Sequence, residues 1–162
     1  MGLDMYLSKK TYVKRWEHQT PEEKHSVTVN RGGKPHPTIK TDRVSYVVEE
    51  IGYWRKANQI HAWFVDNVQD GVDDCKDYYV EAEKLKELLD ICIEIKSLYA
   101  KNKQKFRKYA KEKLPTREGF FFGNNQYGDD YMYDINQTIE ILQDVYEKDD
   151  QCLGDYTYQS SW

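Results

Sequence analysis

Four residues, Trp54, Arg55, Asn58 and His61, gather the most chemistry in the least length of this chain. They lie in the stretch IGYWRKANQIHAWFVDNV, from Ile51 to Val68. The indole offers a stacking face, the amide and imidazole offer hydrogen bonds, and Arg55 with Lys56 offers positive charge. Read as one helix from Tyr53, the stretch places its core stripe on Tyr53, Ala57, Ile60, Phe64 and Val68, within about 100° of arc. Trp54, Asn58, His61 and Val65 then form the adjoining row, at the border between core and solvent. Cations at a helix start, where backbone N–H groups already favour anions, suit a phosphate. Stacking of a base on an indole contributes roughly 1–3 kcal/mol. The expected ligand is a small anionic, nucleotide-type molecule, with Arg43, Lys40 and Lys34 adding charge for phosphate.

Other chemistry finds little purchase. Arg31-Gly32-Gly33-Lys34 lacks the GxxxxGK[ST] pattern of a P-loop and suits a hairpin turn. His18 and His25 stand seven apart, and His36 sits among prolines, so no metal site is expected. Asp66, Asp70 and Asp73 lack the Gly and Glu positions of an EF-hand loop. No GxSxG elbow exists. Cys75 lies in an acidic loop that would raise its thiol pKa, and Cys92 falls on an apolar helical stripe. The three cysteines, with Cys152, form no CxxC pair and suit a reducing, cytoplasmic compartment. The sequence therefore points to a non-enzymatic binding protein without a cofactor. Two alternatives stay open: an enzyme on nucleotides or nucleic acid using His61 with Glu49 or Glu50, and an inhibitor of a host protein docking through Tyr127, Tyr131, Tyr133, Tyr156 and Tyr158.

The elements that must position these residues follow from periodicity. At 162 residues and 39% hydrophobic content, a single domain over 1–162 is expected. Leu3, Met5 and Leu7 alternate in a first strand. Thr20-Pro21-Glu22-Glu23 reads as a capped turn. Residues 26–39 read as two extended arms around Gly32-Gly33, with Pro35 and Pro37 on the return. RVSYVVEE, residues 43–50, reads as a strand, after which Gly52 turns the chain. Residues 78–80 form a short strand. A helix from Glu81 carries Leu85, Leu88, Leu89, Cys92, Ile95 and Tyr99. The lysine-rich, insertion-like segment 96–114 continues or restarts it, with Phe106 and Ala110 inward, until Pro115. A short strand at Gly119–Gly123 and a last helix with Met132, Ile135, Ile139, Leu142 and Tyr146 inward follow. Tyr156 and Tyr158 suggest an edge strand. The architecture is α+β: an antiparallel or mixed sheet covered by about three helices.

Charge and hydropathy narrow the setting. The formal net charge of −4 gives no push toward nucleic acid or membrane. Residues 96–113 hold eight Lys or Arg against one Glu, yet read best as a solvated helix face. No apolar run reaches the length of a membrane span, and MGLDMYLSKK lacks a signal-peptide apolar region. Tyr6 stands where a myristoylation motif wants Ser or Thr.

The blocks MGLDMYL, GGKPHPTIK, YWRKANQIHAWFVDNVQDG and GFFFG resemble a family of small proteins of phages, prophages and other bacterial mobile elements. The resemblance covers most of the chain apart from 96–113. The label phosphoglycerate kinase, which members often carry, does not suit this chain, because that enzyme class needs two large doubly wound domains. The resemblance implies an accessory factor in the cytoplasm of a bacterial host. Such a factor would counter host defence by sequestering a nucleotide immune signal or by blocking a host defence protein.

Overall fold

The computed structural model describes residues 2–119, 123–148 and 154–162. In chain order these form β1 (Asp4–Tyr12), β2 (Asn30–Arg31), β3 (Lys34–Pro35), β4 (Tyr46–Arg55), α1 (Asn58–Asn67), β5 (Tyr78–Val80), α2 (Ala82–Lys101), α3 (Lys103–Lys113), α4 (Asp129–Lys148) and β6 (Asp155–Ser161). The fold is α+β. A four-stranded antiparallel sheet, ordered β4-β1-β6-β5, carries helices on one face, and β2 and β3 make a separate two-stranded hairpin.

Strict alternation decides which way the sheet faces. Leu3, Met5 and Leu7 are fully buried, and so are Tyr156, Tyr158 and Val80. Successive side chains on a strand point to opposite faces, so Asp4, Tyr6, Thr157 and Tyr79 line the outer side. The expected edge strand at the C-terminal end is an interior strand instead. β6 pairs with β1 from Asp4–Ser161 to Lys10–Asp155, and with β5 on its other side. Tyr156 and Tyr158 lie on its inner face and are buried, with Phe64 of α1 stacked on the Tyr158 ring.

The largest departure from expectation concerns β4. Gly52 does not turn the chain; it lies opposite Leu7 in the β1–β4 ladder. A Cβ there would meet Ile141 Cγ2 of α4 at 2.7 Å, so this glycine permits close packing of the helix on the strand. Tyr53, Trp54 and Arg55 continue the strand, opposite Tyr6, Met5 and Asp4. The turn comes at Lys56, a left-handed residue with φ 60°, and α1 begins only at Asn58. Trp54 and Tyr53 therefore alternate with period two: Trp54 is buried inward and Tyr53 lies on the outer face.

Other elements lie close to their sequence positions. Thr20 closes a capping box with Glu23 over a 3-10 turn at Pro21–Glu23. Gly32 and Gly33, at φ 59° and 76°, make the β2–β3 turn. The lysine-rich stretch breaks at Asn102, whose side chain accepts from Gln104 and Lys105 N–H and starts α3. Phe106 and Ala110 are buried, and the cations of α3 point outward. Among the described residues four α-helices, in line with the about three expected, cover the sheet. Of the expected Gly119–Gly123 strand, residues 120–122 lie outside the described residues.

Candidate ligand-binding site

Trp54, Arg55, Asn58 and His61 serve different purposes in the fold. Trp54 is fully buried; its Nε1 donates to Thr138 Oγ1 of α4 at 2.9 Å, and its ring packs against Phe64. It has no face open to a base. Asn58, also buried, donates from Nδ2 to the Asn124 carbonyl and accepts from Arg117 N–H, each at 2.9 Å. It bolts Arg117 and Asn124 onto the start of α1. His61 is buried with Nδ1 2.8 Å from the Tyr158 hydroxyl and Nε2 3.0 Å from Asp73 Oδ2. Both ring nitrogens are thus engaged away from Glu49 and Glu50, which sit on β4 opposite Lys9 and Ser8.

Arg55 alone of the four reaches solvent, with its side chain 64% exposed and its Nε 4.0 Å from Asp4. Lys34, Lys40 and Arg43 do not line the cleft that Arg55 borders. They belong to the segment preceding Tyr46, whereas Arg55 ends the same strand. Nine strand steps at about 3.3 Å separate the two ends by roughly 30 Å. The tyrosine surface divides as well: Tyr131, Tyr156 and Tyr158 are buried, while Tyr133 is 68% exposed.

A cleft of about 240 Å³ opens beside Arg55. Arg55 and Lys56 lie on one wall, and Asp130 and Asp134 of the first turns of α4 lie on another, with Asn124 and Tyr133 at the rim. Lys56 is held by the turn: its N–H donates to the Leu3 carbonyl at 2.8 Å, and its own carbonyl accepts from Asn58 N–H at 2.9 Å. Gly123 completes the wall. It has φ 86°, and a Cβ there would come within 2.9 Å of the Lys56 carbonyl oxygen. Only a glycine lets the two backbones approach so closely.

Burial pushes the Asp134 carboxyl up to about 6; the Gln59 amide, donating to Oδ2 at 2.9 Å, opposes this and the Asp130 charge adds to it. Asp134 therefore titrates close to neutrality, while Asp130 accepts from Asn124 Nδ2 at 3.0 Å. Burial also drives the Tyr131 phenol far above its ordinary value, so it stays neutral and donates to the Leu114 carbonyl. The cleft thus presents two cations against two carboxyl groups, of which Asp134 is readily protonated, with an amide and an exposed phenol at the rim.

Lys56 is legible in the sequence as the cation beside Arg55, whereas Asp130 and Asp134 show no catalytic spacing. The available signal was the i,i+4 pair Asp130 and Asp134 around Tyr131 on a helix start, which reads equally as a cap. No model of a protein family, no curated protein and no solved structure matches this chain.

Proposed function

We propose that this chain binds a small nucleotide-type anion in the cleft between Arg55–Lys56 and Asp130–Asp134, and holds it without transforming it. The observation that carries this reading is the pairing of two cations at a left-handed turn with two carboxyl groups across a cleft. A phosphate would take the Arg55 guanidinium, which favours bidentate contact with phosphate oxygens. Hydroxyl or amino groups of a ribose or base would donate to Asp130 and Asp134. Tyr133, rather than Trp54, would lie along a ring. The cleft is smaller than the roughly 300–1,000 Å³ of drug-sized sites, which favours a mononucleotide or a smaller phosphorylated fragment. The resemblance to mobile-element proteins supports a host immune signal as that ligand, sequestered in the bacterial cytoplasm. His61 does not favour an enzyme, because both its ring nitrogens are committed inside the core.

The test mixes purified protein with mononucleotides, nucleotide sugars and cyclic nucleotides, then recovers ligand by heating. Intact ligand released from wild type, with at least tenfold weaker uptake by Arg55→Ala, is the expected result. Altered ligand would replace the binding reading with an enzymatic one, and no uptake across the panel would end it.

A further inference from the structure

The outer end of the β1–β4 ladder carries a chain of exposed rings that the cleft does not use. Tyr12 and Tyr46 face one another across the strands with ring centroids 5.1 Å apart. Trp16 Nε1 donates to the Tyr12 hydroxyl at 3.0 Å, and His18 stacks on Trp16. The three large rings are 42–47% exposed. Each end of the row bears a cation: Lys10 Nζ lies 4.0 Å from the Tyr46 ring centre, and Lys14 Nζ lies 4.9 Å from that of Trp16. A row of rings that needed only burial would be covered. These are held open by hydrogen bonding and cation–π contact.

Charge identifies the occupant. Residues 9–43 hold nine Lys or Arg against four Asp or Glu, in a chain whose totals are 24 and 28. The excess positive charge of this segment is hidden by the acidity of the rest. The acidic groups nearby are Asp155, opposite Lys10 on β6, Glu17 next to Trp16, Glu50 two residues along the face from Val48, Glu22 and Glu23 in the turn after Thr20, and Asp42 in the 3-10 turn before β4. The same segment encloses a cleft of about 330 Å³ bounded by Arg15, His25 and Thr41 along with Asp42.

We propose that this face binds single-stranded nucleic acid, with unpaired bases stacking on Tyr46, Tyr12 and Trp16 and phosphates meeting Lys10, Lys14 and Arg15. Rings spaced along a basic surface suit a single strand, because every base has a stacking face and the backbone carries charge at each step. A duplex offers no free base faces, and a small anion would need only the cations. The site is separate from the cleft at Arg55 and does not rest on the function proposed for it.

Fluorescence anisotropy of a labelled twelve-residue oligothymidine tests the proposal on the full chain. Binding at 50 mM salt should weaken about twentyfold at 200 mM, as expected for roughly three neutralised phosphates on a single strand. Trp16→Ala should weaken binding about tenfold, and Lys10→Glu with Lys14→Glu should weaken it further and flatten the salt dependence. All three positions lie on the surface or its margin, so unchanged circular dichroism and melting temperature should accompany the loss. Arg55→Ala should bind the oligonucleotide as wild type does. No anisotropy change at low salt would overturn the proposal. So would equal affinity for duplex, or loss of binding on Arg107→Glu and Lys108→Glu in α3 with Trp16→Ala intact. Trp16-dependent self-association without oligonucleotide binding would overturn it in favour of a protein interface.

Discussion

The Tyr158 hydroxyl lies 2.8 Å from His61 Nδ1, joining the middle of α1 to the interior strand β6. Phe64, one turn on, stacks on the Tyr158 ring at 3.9 Å with planes 7° apart. On its other nitrogen His61 meets Asp73, and Asp73 in turn accepts from Trp162 Nε1 at 3.0 Å. One histidine thus ties a helix, a strand and the loop after the helix, while the last residue of the chain ties down the same loop.

Tyr158→Phe removes this hydroxyl and leaves a buried ring nitrogen without its partner there. An unsatisfied buried polar group costs about 1–3 kcal/mol. For a domain near this size that lowers the melting temperature by about 2–4 °C per kcal/mol. Thermal unfolding followed by circular dichroism should show the drop, with ligand uptake per folded molecule unchanged. A loss of uptake without a loss of stability would move His61 from the scaffold into the site.

Thr138→Val should cost a similar amount, about 1–3 kcal/mol, by stranding Trp54 Nε1 in the core. Trp54→Phe removes the N–H together with part of the ring, so the double variant should lose less than the sum of the two single losses. A chemical-denaturation cycle reads the difference. Additive losses would mean that the 2.9 Å bond contributes nothing.

The Asp134 carboxyl, raised to about 6 from an unfolded value of 3.8 by burial, sets a pH dependence. Between those values the folded state binds more protons than the unfolded state, so stability falls as pH rises. The stabilisation is full below pH 4 and is lost through pH 6, amounting to about 2–3 kcal/mol. Asp134→Asn stays neutral and should lack this contribution. The variant should therefore gain on wild type as pH rises from 4 to 7. Parallel stability curves for the two proteins would contradict the assignment.

Gly123→Ala places a methyl 2.9 Å from the Lys56 carbonyl at a backbone angle that alanine disfavours. The expected cost is about 1–2 kcal/mol. Because the same contact sets the cleft wall, nucleotide uptake should weaken as well. Gly128→Ala, with open space around its Cβ, is the matched control and should leave uptake unchanged.

The sequence by itself determined most elements and their inward faces. Leu3, Met5 and Leu7 on β1, the leucine stripe of α2, and Met132, Ile135, Ile139 and Leu142 on α4 are all buried as their spacing requires. These patterns are legible because periodicity is local. The α+β class follows from them, as does the Gly32-Gly33 turn. Tertiary structure decided where β4 stops. Trp54 fits a helical boundary row and a strand's inward face equally well, and only pairing with Met5 and the bond to Thr138 chose the strand. Alternation put Tyr156 and Tyr158 on one face of β6, and only packing, such as Phe64 of α1 stacked on Tyr158, decided that this face is buried. The cleft depended on contacts more distant still. Arg55 and Lys56 meet Asp130 and Asp134 only because Gly52 admits α4 against the strand and Gly123 admits a backbone against Lys56. Neither approach leaves a mark in local spacing, since each is a contact between segments about 70 to 90 residues apart in the chain.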